Sequence, residues 1–117
     1  IPILGDAKKY VLDLGWKDVP ESVERAGYGR PLFLQRQKYS EVLSGLMRER
    51  GLKTEQVAVV GDIYELDLLL PEYQGMDIIL TPRESTPAFE ISAVRTSSQG
   101  YAAKSLGEVL THLESRR

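Results

Sequence analysis

The sequence predicts a three-layer α/β domain with a mainly parallel sheet, and three observations predict it. From Lys38 the apolar residues Tyr39, Val42, Leu43, Leu46 and Met47 recur at the spacing of one helix face. Val57-Ala58-Val59-Val60 follows as a continuous apolar run with β-branched members, the pattern of a strand buried on both faces in a parallel sheet. A second short run, Ile78-Ile79-Leu80, comes after another helical stretch, so helices and strands alternate.

The remaining elements are read in order. Ile1 to Leu4 is a short apolar run ending at Gly5-Asp6, and Asp6 is placed to cap a helix carrying Ala7, Tyr10, Val11 and Leu14. Gly15 ends that helix. Pro20 and Glu21 suggest a further short helix, because proline and acids suit a first turn. Gly27-Tyr28-Gly29-Arg30-Pro31 breaks it. The helix from Lys38 closes with Arg48 and Arg50 and stops at Gly51. Asp67 to Leu70 reads as helix constrained by Pro71 and Gly75, and Thr81 to Pro87 reads as a loop. Phe89 to Val94 alternates too weakly to assign, and 96–100 is a polar turn. Ser105-Leu106-Gly107-Glu108 matches a capping box, followed by an apolar stripe of Leu106, Val109, Leu110 and Leu113.

Composition bounds the function. The chain has 117 residues, 42% hydrophobic and 27% charged, which suits one globular domain with one core. Fifteen basic against 17 acidic residues give a net charge of −2, so neither nucleic acid nor a membrane surface is an expected partner. The absence of cysteine excludes a disulfide framework, a thiolate zinc site and a cysteine nucleophile, and a single histidine excludes a histidine-cluster metal site. Only oxygen ligands remain. There is no run of roughly 18 apolar residues and no signal-peptide pattern, so a cytoplasmic address is expected. The sequence opens at Ile1 without an initiator Met, from which we expect these residues to belong to a longer protein.

Ligands in open α/β sheets bind beyond the carboxyl ends of the strands, which draws attention to Gly61-Asp62-Ile63-Tyr64-Glu65-Leu66-Asp67. Gly61 lets the chain turn, Asp62 projects from the strand end, and Asp67 returns to the same edge. Two converging carboxylates suit one side of a hard cation such as Mg²⁺, which keeps water or phosphate in its other positions. The structural alternative is that Asp62 caps a helix and Glu65 or Asp67 complements its positive end.

The stretch from Lys38 to Leu80, with Gly51-Leu52 before Val57-Ala58-Val59-Val60-Gly61-Asp62 and Asp67 five residues on, resembles the C-terminal half of haloacid dehalogenase (HAD) superfamily hydrolases. It is looser through Gly75-Met76-Asp77-Ile78-Ile79-Leu80 and the terminal helix, and weak back to Ile1. The resemblance implies a Rossmann-like, HAD-like core domain of which residues 1–117 form the C-terminal portion. It also implies a Mg²⁺-dependent phosphatase acting on a small phosphorylated molecule through an aspartyl-phosphate. In that frame Asp62 ligates Mg²⁺, and Asp67 ligates it through water or orients a neighbouring group. Lys38 balances the charge of the nucleophile and the phosphoryl group, with Arg36 its nearest rival. The family's hydroxyl-bearing second motif falls where this chain has Gly5 and Asp6, whose backbone N–H groups offer an anion site instead. The nucleophilic Asp-x-Asp of the first motif is absent from these residues, Glu65-Leu66-Asp67 being the nearest string. The nucleophile is therefore expected upstream of Ile1, or the domain is a non-catalytic binding or regulatory relative.

A second resemblance is to response-regulator receiver domains, in Asp67-Leu68-Leu69-Leu70-Pro71 with Gly75 and in Lys104, making Asp67 a phosphoacceptor. Against it, the interval from Asp67 to Lys104 leaves little room for the intervening elements, and Asp67 falls in the helix after the strand. His112 reads as a surface residue. Trp16, Tyr28 and Phe33 read as anchors of the irregular stretch or as pocket walls, and Arg30 and Arg36 as surface cations or anion binders. Substrate identity and oligomeric state have no signature in the sequence.

Overall fold

The computed structural model describes residues 8–115. The chain forms a small mixed α/β domain with a parallel sheet and flanking helices. A two-residue antiparallel pair, β1 (Ser22–Val23) and β2 (Leu32–Phe33), precedes α1 (Gln37–Arg50). The sheet follows as β3 (Ala58–Gly61), β4 (Asp77–Leu80) and β5 (Gly100–Ala102), in spatial order β3-β4-β5 and parallel throughout. A π-helical turn (Tyr64–Leu68) running into α2 (Leu69–Tyr73) connects β3 to β4, and α3 (Ala88–Thr96) connects β4 to β5. Helix α4 (Leu106–Ser115) closes the described chain.

The period of two along β4 divides the core. Ile78 and Leu80 join Leu32, Leu34, Tyr39, Leu68, Leu70 and Val94 in the larger cluster, while Ile79 packs with Ala103 and Val109 in a smaller one under α4. Helix α1 ends as its sequence foretells, with Gly51 in the left-handed region at φ 64 and its N–H donating to the Arg48 and Met47 carbonyls. Pro71 lies inside α2, where it offers no N–H to the Asp67 carbonyl one turn back. The Tyr39 hydroxyl donates to that carbonyl at 2.6 Å, so the helix keeps its proline with the acceptor satisfied.

Several expectations are corrected. The helix over 7–14 is absent from its described part, residues 8–14, where turns stand instead and Tyr10 and Leu14 are each 69% exposed. An apolar stripe whose Tyr10 and Leu14 stay exposed gives so short a helix little stabilisation. The segment is held by α1's approach: Asp13 N–H donates to the Gln35 carbonyl at 2.8 Å, and Gly15 N–H to the Gln35 side chain at 3.1 Å. The short helix at Pro20 is replaced by β1, because Ser22 and Val23 find ladder partners in Phe33 and Leu32. Strand β3 is parallel as read, but among the described residues it stands at the end of the sheet and Val60 is 44% exposed rather than buried on both faces. The stripe on α4 buries Val109, leaving Leu106 and Leu110 exposed. Helix α3 occupies a stretch that the sequence pattern left unassigned, and β5 begins at Gly100, the last residue of the stretch read as a polar turn. The strand predicted at Ile1 to Leu4 and the cap at Asp6 lie outside the described residues.

Candidate functional site at the carboxyl edge of the sheet

Strand β3 ends at Gly61, whose carbonyl accepts the Thr81 N–H at 2.9 Å, tying the ends of β3 and β4 together. A Cβ at Gly61 would collide with the Asp67 side chain, so glycine is required by this close approach. Asp67 is buried, and its Oδ2 accepts the Asp62 N–H at 3.1 Å and the Ile63 N–H at 3.0 Å. Its Oδ1 pairs with Lys9 Nζ at 2.6 Å. The second aspartate thus latches the turn that presents the first.

Asp62 reaches the strand edge half-exposed, where its Oδ2 accepts Arg83 Nε at 2.6 Å and also pairs with Arg83 Nη2. Arg83 stands on the loop after β4, whose backbone is fixed by Arg83 N–H donating to Thr86 Oγ1 at 2.8 Å. Glu65 accepts both Arg30 Nη1 and Nη2, at 3.1 and 2.7 Å, and the Phe33 N–H at 3.0 Å. Burial alone would raise the Glu65 carboxyl. The Arg30 and Phe33 hydrogen bonds and the Arg30 and Arg36 charges outweigh it and hold the group below its ordinary range. Arg36 is buried and donates to the Lys9 carbonyl at 2.7 Å, and burial lowers its guanidinium against the opposing pull of Glu65.

A shallow cleft of about 220 Å³ adjoins the turn, lined by Tyr28, Arg30, Ile63, Glu65, Phe89 and Glu90 among others. Its floor is tied to the same turn, since the buried Glu90 accepts the Tyr64 N–H at 2.5 Å. Tyr28 meets Phe89 edge-on at a centroid distance of 4.6 Å, which makes it a wall of this cleft as well as a core contact.

The structure brings Asp62 and Asp67 together and joins to them Lys9 and Arg83. Lys38 lies exposed on the first turn of α1, and the lysine that faces Asp67 is Lys9. Gly5 and Asp6 lie outside the described residues. The interval from Asp67 to Lys104 has room for α2, β4, α3 and β5, but the strand end is held by Asp62, with Asp67 one turn into the helical segment. His112 stacks on the Tyr101 ring at a centroid distance of 3.9 Å. Arg83 was within reach of the rule that pointed to Asp62, since it follows β4 as Asp62 follows β3. Lys9 carries no such signal, because its contact is long-range and its segment irregular.

Asp62 offers a hard oxygen donor at the strand edge, of the kind Mg²⁺ takes. Among the described residues no three acidic or histidine side chains cluster to form a complete cage, so the remaining positions of an ion would fall to water, phosphate or residues outside this segment. Such a shared arrangement is ordinary for Mg²⁺. Among the described residues no helix is long and apolar enough to cross a membrane. Comparison with protein-family models, with curated proteins and with solved structures returned no match.

Proposed function

We propose that this chain is the C-terminal portion of the three-layer, Rossmann-like core of a Mg²⁺-dependent HAD-like hydrolase, a phosphatase acting on a small phosphate monoester. The observation that carries the reading is the latched turn after β3. A carboxylate at the end of a parallel strand is presented by a glycine turn that a second carboxylate, five residues on, holds from behind. In this reading Asp62 holds Mg²⁺, and Asp67 keeps the Asp62 backbone in place. Lys9 neutralises Asp67 at the edge where a phosphoryl group would sit, and Lys38 is the cation that would balance the nucleophile and the phosphoryl group. When bound, Mg²⁺ supplies Lewis-acid stabilisation of charge on phosphoryl oxygens, worth several kcal/mol in such sites. The reading requires the nucleophilic aspartate that forms the aspartyl-phosphate to lie outside residues 1–117.

The test is phosphate release from a generic aryl phosphate by the full-length protein. Asp62→Asn should abolish Mg²⁺-dependent turnover while the circular dichroism spectrum is retained, and undiminished turnover in that variant would refute the assignment. A non-catalytic binding or regulatory domain is the second reading, favoured by the engagement of Asp62 with Arg83 and of Asp67 with Lys9 and backbone N–H groups. It predicts no Mg²⁺-dependent release at all. The receiver reading needs Asp67 accessible to a phosphodonor, and its burial with both oxygens engaged speaks against it.

A further inference from the structure

The geometry points to Arg83 as the residue that binds the substrate's phosphoryl oxygens, with the Asp62 carboxylate occupying its guanidinium in the form seen here. This rests on the reading of Asp62 as the Mg²⁺ ligand. Arg83 directs two donors, Nε and Nη2, at the single oxygen Oδ2 of Asp62. A guanidinium fork suits phosphate as well as carboxylate, because both offer oxygens at matching separation.

The pair is built to be exchanged. Its side chains are 62% and 36% exposed, and ion pairs so open to water hold weakly. The backbone on either side is fixed, by Thr81 N–H on the Gly61 carbonyl at 2.9 Å and by Arg83 N–H on Thr86 Oγ1 at 2.8 Å. Release of the guanidinium therefore requires side-chain rotation and no movement of the loop. A divalent cation that takes the Asp62 carboxylate replaces Arg83 as its counter-charge. The freed guanidinium stays at the same edge of the sheet, beside the place where a metal-bound phosphate would lie. Lys9 does not compete for this part, because it is held by the buried Asp67.

The assignment predicts that the contribution of Arg83 to anion binding depends on what occupies Asp62. Inorganic phosphate, the product of the proposed reaction, is the probe, titrated calorimetrically into the full-length protein with and without saturating Mg²⁺. With Mg²⁺, Arg83→Gln should weaken phosphate binding about tenfold or more, the usual consequence of losing a charge-assisted hydrogen bond. Without Mg²⁺ the same substitution should leave it within about twofold, and Mg²⁺ itself should bind Arg83→Gln at least as tightly as wild type. Arg83→Lys, which keeps the charge and loses the fork, should fall between. Asp62→Asn frees the guanidinium without any metal and should tighten phosphate binding in the absence of Mg²⁺.

Equal phosphate affinity of Arg83→Gln and wild type in Mg²⁺ overturns the assignment, as does a loss of the same size with and without the metal, which marks a fixed surface charge. If Arg83→Gln does not fold, Arg83→Lys decides, and no loss in Mg²⁺ overturns the assignment. Failure of the underlying reading looks different. Mg²⁺ binding by Asp62→Asn equal to that of wild type removes Asp62 as ligand, whatever Arg83 does.

Discussion

Replacing Asp67 by alanine tests whether the second aspartate is the latch of the turn. The substitution removes hydrogen bonds from the N–H groups of Asp62 and Ile63, at 3.1 and 3.0 Å, and the 2.6 Å pairing with Lys9. Hydrogen bonds to a charged acceptor contribute about 1.5–3 kcal/mol each. Water reaches Asp62 and Ile63 and recovers part of this, and Lys9 is itself 34% exposed, so the ion pair adds no more than about 1 kcal/mol. A loss of about 2–4 kcal/mol is expected, a large share of the roughly 5–15 kcal/mol that holds a domain of this kind. With a urea slope of about 2 kcal/mol per molar, the unfolding midpoint should drop by about 1–2 M. Asp67→Asn keeps an oxygen for the N–H groups and should lose about half as much. Urea unfolding followed by circular dichroism reads both. A midpoint for Asp67→Ala within about 0.3 M of wild type would refute the latch, and with it the argument that Asp67 positions Asp62.

The Asp67 carbonyl, served by Tyr39 in place of the N–H that Pro71 lacks, gives a double-mutant cycle. Tyr39→Phe leaves the Asp67 carbonyl without its 2.6 Å donor and should cost about 1–2 kcal/mol, whereas in a Pro71→Ala background the restored N–H takes that carbonyl and the cost should fall below about 0.5 kcal/mol; equal costs in both backgrounds would contradict the account of the helix. Glu65 sets an acid limb. Its folded-state group lies below its ordinary value, so the stability it adds is present above about pH 4.3, where the unfolded group is ionised, and is lost as pH falls through the lower folded-state value. Glu65→Gln should flatten that part of a stability-versus-pH curve measured by urea unfolding, and an unchanged acid limb would show that the Arg30 and Phe33 contacts contribute nothing.

What the sequence showed and what it concealed divide along physical lines. Helix α1 was legible because one face is buried, so a simple period survives in its residues, and β3 and β4 because their two faces pack into the two clusters, which leaves a continuous apolar run. Helix α3 was not. Glu90 stands at a buried position of that helix because it is needed to accept the Tyr64 N–H, and a charged residue in the apolar stripe erases the pattern. The segment near Tyr10 failed in the opposite way, carrying a helical stripe whose Tyr10 and Leu14 remain exposed. Strand β5 begins at Gly100, where a Cβ would run into the Val94 carbonyl, so the residue that permits α3 and β5 to close is the same one that made the stretch read as a turn. At the site, Asp62 and Asp67 were legible from the strand-edge rule. Their division of labour was not, because it depends on which N–H groups the second carboxylate reaches.

That division bears on why the spacing takes the form it does. An acid five residues after Asp62 lies one helical turn past the strand, so its side chain points back at the start of the turn and its own N–H donates to the Ile63 carbonyl at 2.9 Å. A carboxylate there satisfies two backbone donors through one oxygen and still offers the other to Lys9, which neither an amide nor a hydroxyl does with equal strength. Gly61 is then compelled by the room this carboxylate needs. The backbone alone thus accounts for Gly61 and Asp67, without appeal to any ligand. It does not account for Asp62. That side chain supports no backbone group among the contacts described, projects at the edge where ligands of parallel sheets bind, and is held by a guanidinium that water can reach. Of Gly61, Asp62 and Asp67, two build the turn; on the function proposed above the third holds the ligand, so substitution at Asp62 and at its partner Arg83 should change binding more than stability.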